Sequence, residues 1–104
     1  MTHTPGPWNV QEGLHNNRYC EIWSGPLCIG ETSGCGEIRS EGEDAANARL
    51  IAAAPELLAS CMDARYELAV LVNQFGLGFD TPTEHPVIVR LDAAISRATG
   101  EDAA

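Results

Sequence analysis

The sequence predicts an α+β fold: a small antiparallel sheet of three to four strands, then a short helix, a long helix and a C-terminal helix, oligomerising through the helices. Three observations predict it. Residues 1–40 hold short β-type runs separated by Gly, Pro and Asn clusters, the pattern of an antiparallel meander. Residues 43–58 read EDAANARLIAAAPELL, rich in alanine with a proline inside. Residues 57–75 then carry apolar side chains at helical spacing.

The β runs come first. Residues 8–11 form one. Residues 18–23 (RYCEIW) alternate, with Tyr19 and Glu21 on one face and Cys20 and Ile22 on the other. Residues 27–30 are a third run and residues 37–40 a fourth. Ser24-Gly25-Pro26 is the tight connection between the second and third.

Helical signals begin at Ser40. Ser40-Glu41-Gly42-Glu43 fits the capping box, and Glu41, Glu43 and Asp44 set negative charge at the positive end of the helix dipole. The short helix is expected from about residue 41 to Ala54. Pro55 ends it and is tolerated in the first turn of the next. The alanines at 45, 46, 48, 52, 53 and 54 let the short helix lie close to its neighbours.

In the long helix Leu57, Cys61, Ala64, Leu68, Leu71 and Phe75 are spaced 4, 3, 4, 3 and 4. Leu58, Met62, Ala69 and Val72 widen this stripe, which suits packing on two neighbours. Gly76 and Gly78 end the helix. Thr81 or Thr83 is expected to cap the last helix, residues 85–98, which carries Ile88, Leu91, Ile95 and Ala98 on one face. One domain is expected over 1–104: a β meander over 1–40, a helical part over 41–99 and a frayed tail over 100–104.

Composition narrows the function. The chain has 104 residues and a net charge of −9. All six basic residues are arginine: Arg18, Arg39, Arg49, Arg65, Arg90 and Arg97. The clustered positive charge that direct nucleic-acid binding needs is absent. The start MTHTPGPW has neither a basic segment nor an apolar stretch behind it. No run approaches the roughly 20 apolar residues of a membrane span. A cytoplasmic location is expected, with Cys20, Cys28, Cys35 and Cys61 as free thiols.

No catalytic motif, cofactor motif or metal-ligand spacing stands out. Cys20, Cys28 and Cys35 are seven to eight positions apart, and no C-x₂₋₄-C or H-x₃₋₅-H pair occurs. The cysteines read as buried small hydrophobes. Cys35 sits among acidic residues, which oppose a reactive thiolate. An enzyme is not expected, nor any cofactor. Ligand binding fits better: Trp8, Tyr19 and Trp23 can stack on flat rings, and Arg18, Arg39 and Arg49 can grip phosphate. The two tryptophans also fit a core short of large side chains, and Arg49 fits a salt bridge to Glu43 or Asp44.

The segments Thr2-His3-Thr4-Pro5-Gly6-Pro7-Trp8 and Asp44 to Leu58, in that order with a β-like stretch between them, resemble a group of small bacteriophage and prophage proteins. These carry TPGPW near the start and an NARLIAAAPELL-like segment before a long helix. The group looks related to the Ead/Ea22-like accessory proteins of temperate phages. In layout alone the chain is similar to the Thoeris anti-defence sponges, which assemble through their helices.

The resemblance implies an accessory protein of counter-defence. The expected activity is sequestration, without catalysis, of a nucleotide immune signal such as a cyclic oligonucleotide or cyclic ADP-ribose isomer, in the cytoplasm of the infected bacterium. Trp8, Arg18, Trp23, Arg39, Asn47 and Arg49 are the candidate contacts, with residues 57–75 joining copies of the chain. The alternative is an acidic inhibitor that binds a host defence protein directly, in the manner of an anti-CRISPR, through Glu37, Glu41, Glu43 and Asp44.

Overall fold

The computed structural model of the chain describes residues 3–13, 19–33 and 42–101. Three strands, β1 (Asn9–Gly13), β2 (Tyr19–Ser24) and β3 (Leu27–Ser33), form an antiparallel sheet in the order β1-β2-β3. Three α-helices follow: α1 (Glu43–Ala52), α2 (Ala54–Phe75) and α3 (Pro86–Thr99), with a 3₁₀ turn at Pro82–Glu84 before the last. This is the predicted α+β order. The fourth run expected at 37–40 and the tail beyond 101 lie outside the described residues. Among the described residues no helix is long and apolar enough to cross a membrane.

The described chain groups into two compact units, Thr4–Glu56 and the segment from Leu57 onward. The short helix α1 thus belongs with the sheet. In this first unit Ser24 pairs with Leu27 across the Gly25-Pro26 turn. Gly25 has φ 56°, and glycine followed by proline suits a two-residue hairpin whose first position is left-handed.

Register then sorts the side chains. Val10 pairs with Ile22, and Cys20 with Thr32, and this face meets α1. Cys20, Ile22, Ala48 and Ala52 form the buried core, with Trp8, Val10, Ile29 and Ala45 packed around it. Ala45, Ala48 and Ala52 repeat at helical spacing, so their small side chains bring α1 down onto the strands. Strict alternation from Thr32 would turn Ile29 outward. The register shifts between Ile22 and Trp23. The extra residue in β3 swings Ile29 back to the core side.

The first helix starts later than expected. Gly42 is its N-cap, at φ 84°, with no side-chain cap. Left-handed backbone cannot continue into a right-handed helix, and glycine adopts it at little steric cost. Glu43 is therefore the first helical residue and not the third, which breaks the spacing of the expected capping box. Helix α1 also stops at Ala52, and α2 starts at Ala54 with Pro55 in its first turn. Pro55 meets the amino-terminal segment: a Cβ added at Gly6 would lie 3.0 Å from Pro55 Cβ. The TPGPW and NARLIAAAPELL segments thus touch each other.

One buried polar contact ties helix to sheet. Thr32 Oγ1 donates to the backbone carbonyl of Asp44 at 3.0 Å, with both residues buried. Thr32→Val keeps the shape and removes the donor. We expect it to cost about 1 kcal/mol of stability, read as a lower urea midpoint.

In the second unit Val72 of α2 and Ile88 of α3 are buried, and Arg65 Nε donates to Asp92 Oδ1, joining the two helices. Gly76, at φ 73°, donates to Val72 O at 2.8 Å and closes α2. The cap of α3 differs from expectation. His85 is the N-cap, its Nδ1 accepting the Val87 N–H at 3.1 Å. Thr81 instead precedes the 3₁₀ turn, and its hydroxyl lies 3.1 Å from that of Thr83. The reason is Pro86, which holds His85 extended at φ −67°, ψ 128° and itself takes the first helical position.

Candidate functional site: the acidic aromatic face of the sheet

Within Thr4–Glu56 the sheet has a second face. It carries Asn9 and Gln11 of β1, Tyr19, Glu21 and Trp23 of β2, and Glu31 of β3, because Asn9 pairs with Trp23, Gln11 with Glu21 and Glu21 with Glu31. Trp23 Nε1 donates to Glu21 Oε1 at 3.3 Å. The other oxygen of Glu21 lies 3.4 Å from the Tyr19 hydroxyl, which also donates to Glu31 Oε2. Two aromatic rings are thereby held by two carboxylates in one continuous chain of polar contacts.

The electrostatics follow from that arrangement. The hydrogen bond to Glu31 is the main cause that pushes the Tyr19 hydroxyl up to about 12 from 10.0. Desolvation and then the charges of Glu31 and Glu21 add to it. A phenolate here would sit beside two carboxylates, so the proton is held. The face is a set of acceptors and rings, suited to cations: carboxylates take Arg or Lys donors, and the rings offer cation–π contact.

Among the described residues, those expected from the sequence lie apart. Trp8 packs against the core on the α1 side, and its Nε1 donates to Thr4 O at 3.0 Å. Trp23 is on the opposite face. Asn47 and Arg49 are exposed on α1. Arg49 grips Glu12 of β1, with Nε 2.7 Å from Oε1 and a second nitrogen 3.0 Å from Oε2. This replaces the salt bridge expected to Glu43 or Asp44. The carboxylate of β1 lies alongside α1 in the fold, and a two-pronged guanidinium contact favours it. Arg18 and Arg39 lie outside the described residues.

The alternative patch is also revised. Asp44 is buried, only 7% exposed, because it sits where α1 meets Thr32. Glu43 is exposed, and Glu37 and Glu41 lie outside the described residues. The expected burial of the cysteines holds for Cys20 and not for Cys28, which is exposed; Cys61 is half-buried, and Cys35 lies outside the described residues. Cys28 pairs across from Trp23 at the register shift and so leaves the core side. Among the described residues no three His, Cys, Asp or Glu side chains are grouped to hold a metal ion.

Glu21 and Glu31 are not among the site residues expected from the sequence. Period-two alternation in RYCEIW already sets Tyr19, Glu21 and Trp23 on one face. Glu31 needed the strand register.

No curated protein and no solved structure matches the chain. A family model does, over residues 1–102, and it describes Salmonella phage P22 protein Y8K6. With nearly its whole length matched, the chain belongs to that phage protein family.

Proposed function

We propose that the chain is a phage accessory protein of counter-defence that acts without catalysis, binding a basic surface of a host protein in the bacterial cytoplasm through Tyr19, Glu21, Trp23 and Glu31. The observation that carries this reading is the contact chain from Trp23 through Glu21 and Tyr19 to Glu31. It offers negative charge and aromatic surface together. The net charge of −9 adds long-range attraction to a basic partner and speeds encounter. A host surface that ordinarily receives nucleic acid has that chemistry. The phage family supports the viral setting. The wider kinship with Ead/Ea22-like proteins remains part of the proposal.

Capture of a nucleotide signal is the weaker reading. Phosphate needs cationic donors, and Arg49, the described member of the three arginines expected to grip it, commits its Nε–H and one terminal nitrogen to Glu12. The carboxylates beside Trp23 and Tyr19 repel an anion that would stack there.

The test is charge reversal in a host-protein capture experiment. Glu21→Lys with Glu31→Lys is compared with Glu56→Lys with Asp63→Lys, which makes the same charge change on α2. The first pair is expected to lose the partner captured by the wild type, by roughly a hundredfold in affinity. The second pair is expected to keep it within severalfold. Equal retention by both pairs rules out this face. A clear thermal shift with a cyclic di- or trinucleotide or cyclic ADP-ribose isomer, with no protein partner, returns the reading to nucleotide capture.

A further inference from the structure

Helix α2 has a seam that is covered only in part, with Cys61 and Leu68 half-buried. Leu57, Cys61, Ala64, Leu68, Leu71 and Phe75 repeat at 4, 3, 4, 3 and 4 residues, the heptad spacing by which one helix packs along another. Within the unit from Leu57 onward, α3 meets α2 through Arg65 and Asp92, beside this seam. One flank of the seam stays open: Leu57 is 49% exposed, Leu71 44% and Phe75 70%, and Ala64 between them is exposed too. Val72 and Ile88 are the buried hydrophobic residues described in that unit. Two buried side chains are a small core for helices of this length.

The spacing reads the same in both directions about position 66. An antiparallel copy would set Leu57 against Phe75, Cys61 against Leu71 and Ala64 against Leu68. Each small side chain of the first half then faces a larger one of the second half. A parallel copy would set Ala64 on Ala64 and leave a gap, and crowd Phe75 on Phe75. Volume complementarity of this kind is what packed layers require, and a two-fold axis makes one such surface serve both partners.

We infer that the α2 seam is an isologous interface, occupied by α2 of a second copy of this chain running antiparallel about a two-fold axis near residue 66. The helix is about 33 Å long at 1.5 Å per residue, long enough for three such layers and their mirror images. The inference involves α2 alone and does not rest on the host-protein reading.

The experiment is sedimentation of the full chain at about 100 µM. The expected mass is twice the 11.1 kDa of one chain. Ala64→Glu sits on an exposed helical position and should fold, as helical circular dichroism will report. It and Leu71→Glu are expected to weaken association by roughly a hundredfold, because each would bury a charge in the seam. Direction is read by cross-linking with Cys28 and Cys35 replaced by serine. Adding Leu71→Cys should give a disulfide-linked pair through Cys61 on mild oxidation, and none once Cys61 is also replaced by serine. A single-chain mass for the wild type overturns the inference. So does an unchanged mass in both glutamate variants, or a Cys61–Cys61 cross-link without Leu71→Cys, which marks parallel helices. A partner of different mass on this seam overturns it as well.

Discussion

Ile22→Ala is expected to remove about 2–4 kcal/mol of stability, the usual cost of cutting a fully buried isoleucine to alanine. Ile22 is 1% exposed and is among the largest fully buried side chains described. Its buried neighbours are Cys20, Ala48 and Ala52, all small, so little around it can move in to refill the space. Ile22 is thus the one large side chain among the fully buried members of this cluster, with Trp8, Val10 and Ile29 only partly buried around it. A domain of this size has about 5–15 kcal/mol in total, so the loss is a large share. Urea unfolding followed by tryptophan fluorescence is a suitable measurement, since Trp8 packs on the same core. Leu50→Ala is the control: Leu50 is 65% exposed, and its truncation is expected to change stability by no more than about 0.5 kcal/mol. Equal effects of the two would contradict the core as described.

Tyr19 is expected to keep its proton until about pH 12, where an ordinary tyrosine loses it near 10.0. The chain has two tyrosines, so in a Tyr66→Phe background the phenolate absorbance reports Tyr19 alone. Glu31→Gln removes the largest cause, the hydrogen bond to the Glu31 carboxylate, together with its charge. The midpoint should then fall toward 10. The same shift sets a pH dependence of folding. Between about 10 and 12 the folded chain holds a proton that the unfolded chain has released. The stability contributed by the protonated hydroxyl is complete below pH 10 and is lost as the pH rises through 12. A midpoint near 10 in the Tyr66→Phe protein would show that Tyr19 is not held by Glu31, and would remove the geometric basis of the proposed binding face.

The binding face is also where sequence and structure part company. Local chemistry was legible. Alternation in RYCEIW set Tyr19 and Glu21 together, Ser24-Gly25-Pro26 gave the hairpin, and Gly76 ended α2. These follow from the two-residue period of a strand and from dihedral preferences, which each residue carries with it. Caps were less legible, because two competing local signals met there. Gly42 displaced the Ser40 capping box, and Pro86 made His85 the cap in place of a threonine.

Contacts between distant segments were not legible. Arg49 reaches Glu12, which lies 37 positions away, although acids one turn earlier on its own helix looked nearer. Asp44 looked like surface charge and is buried over Thr32. Glu31 joins Tyr19 only because the strand register sets it there, and Ile29 reaches the core only because of a register shift. The sequence by itself determined the order and kind of the elements, the acidic balance and the heptad on α2, since these depend on neighbours along the chain. Tertiary structure alone decided which tryptophan joins the core, which arginine is already paired and which carboxylates meet on one face. A one-residue shift in register exchanges the two faces of a strand, and no local preference carries that information.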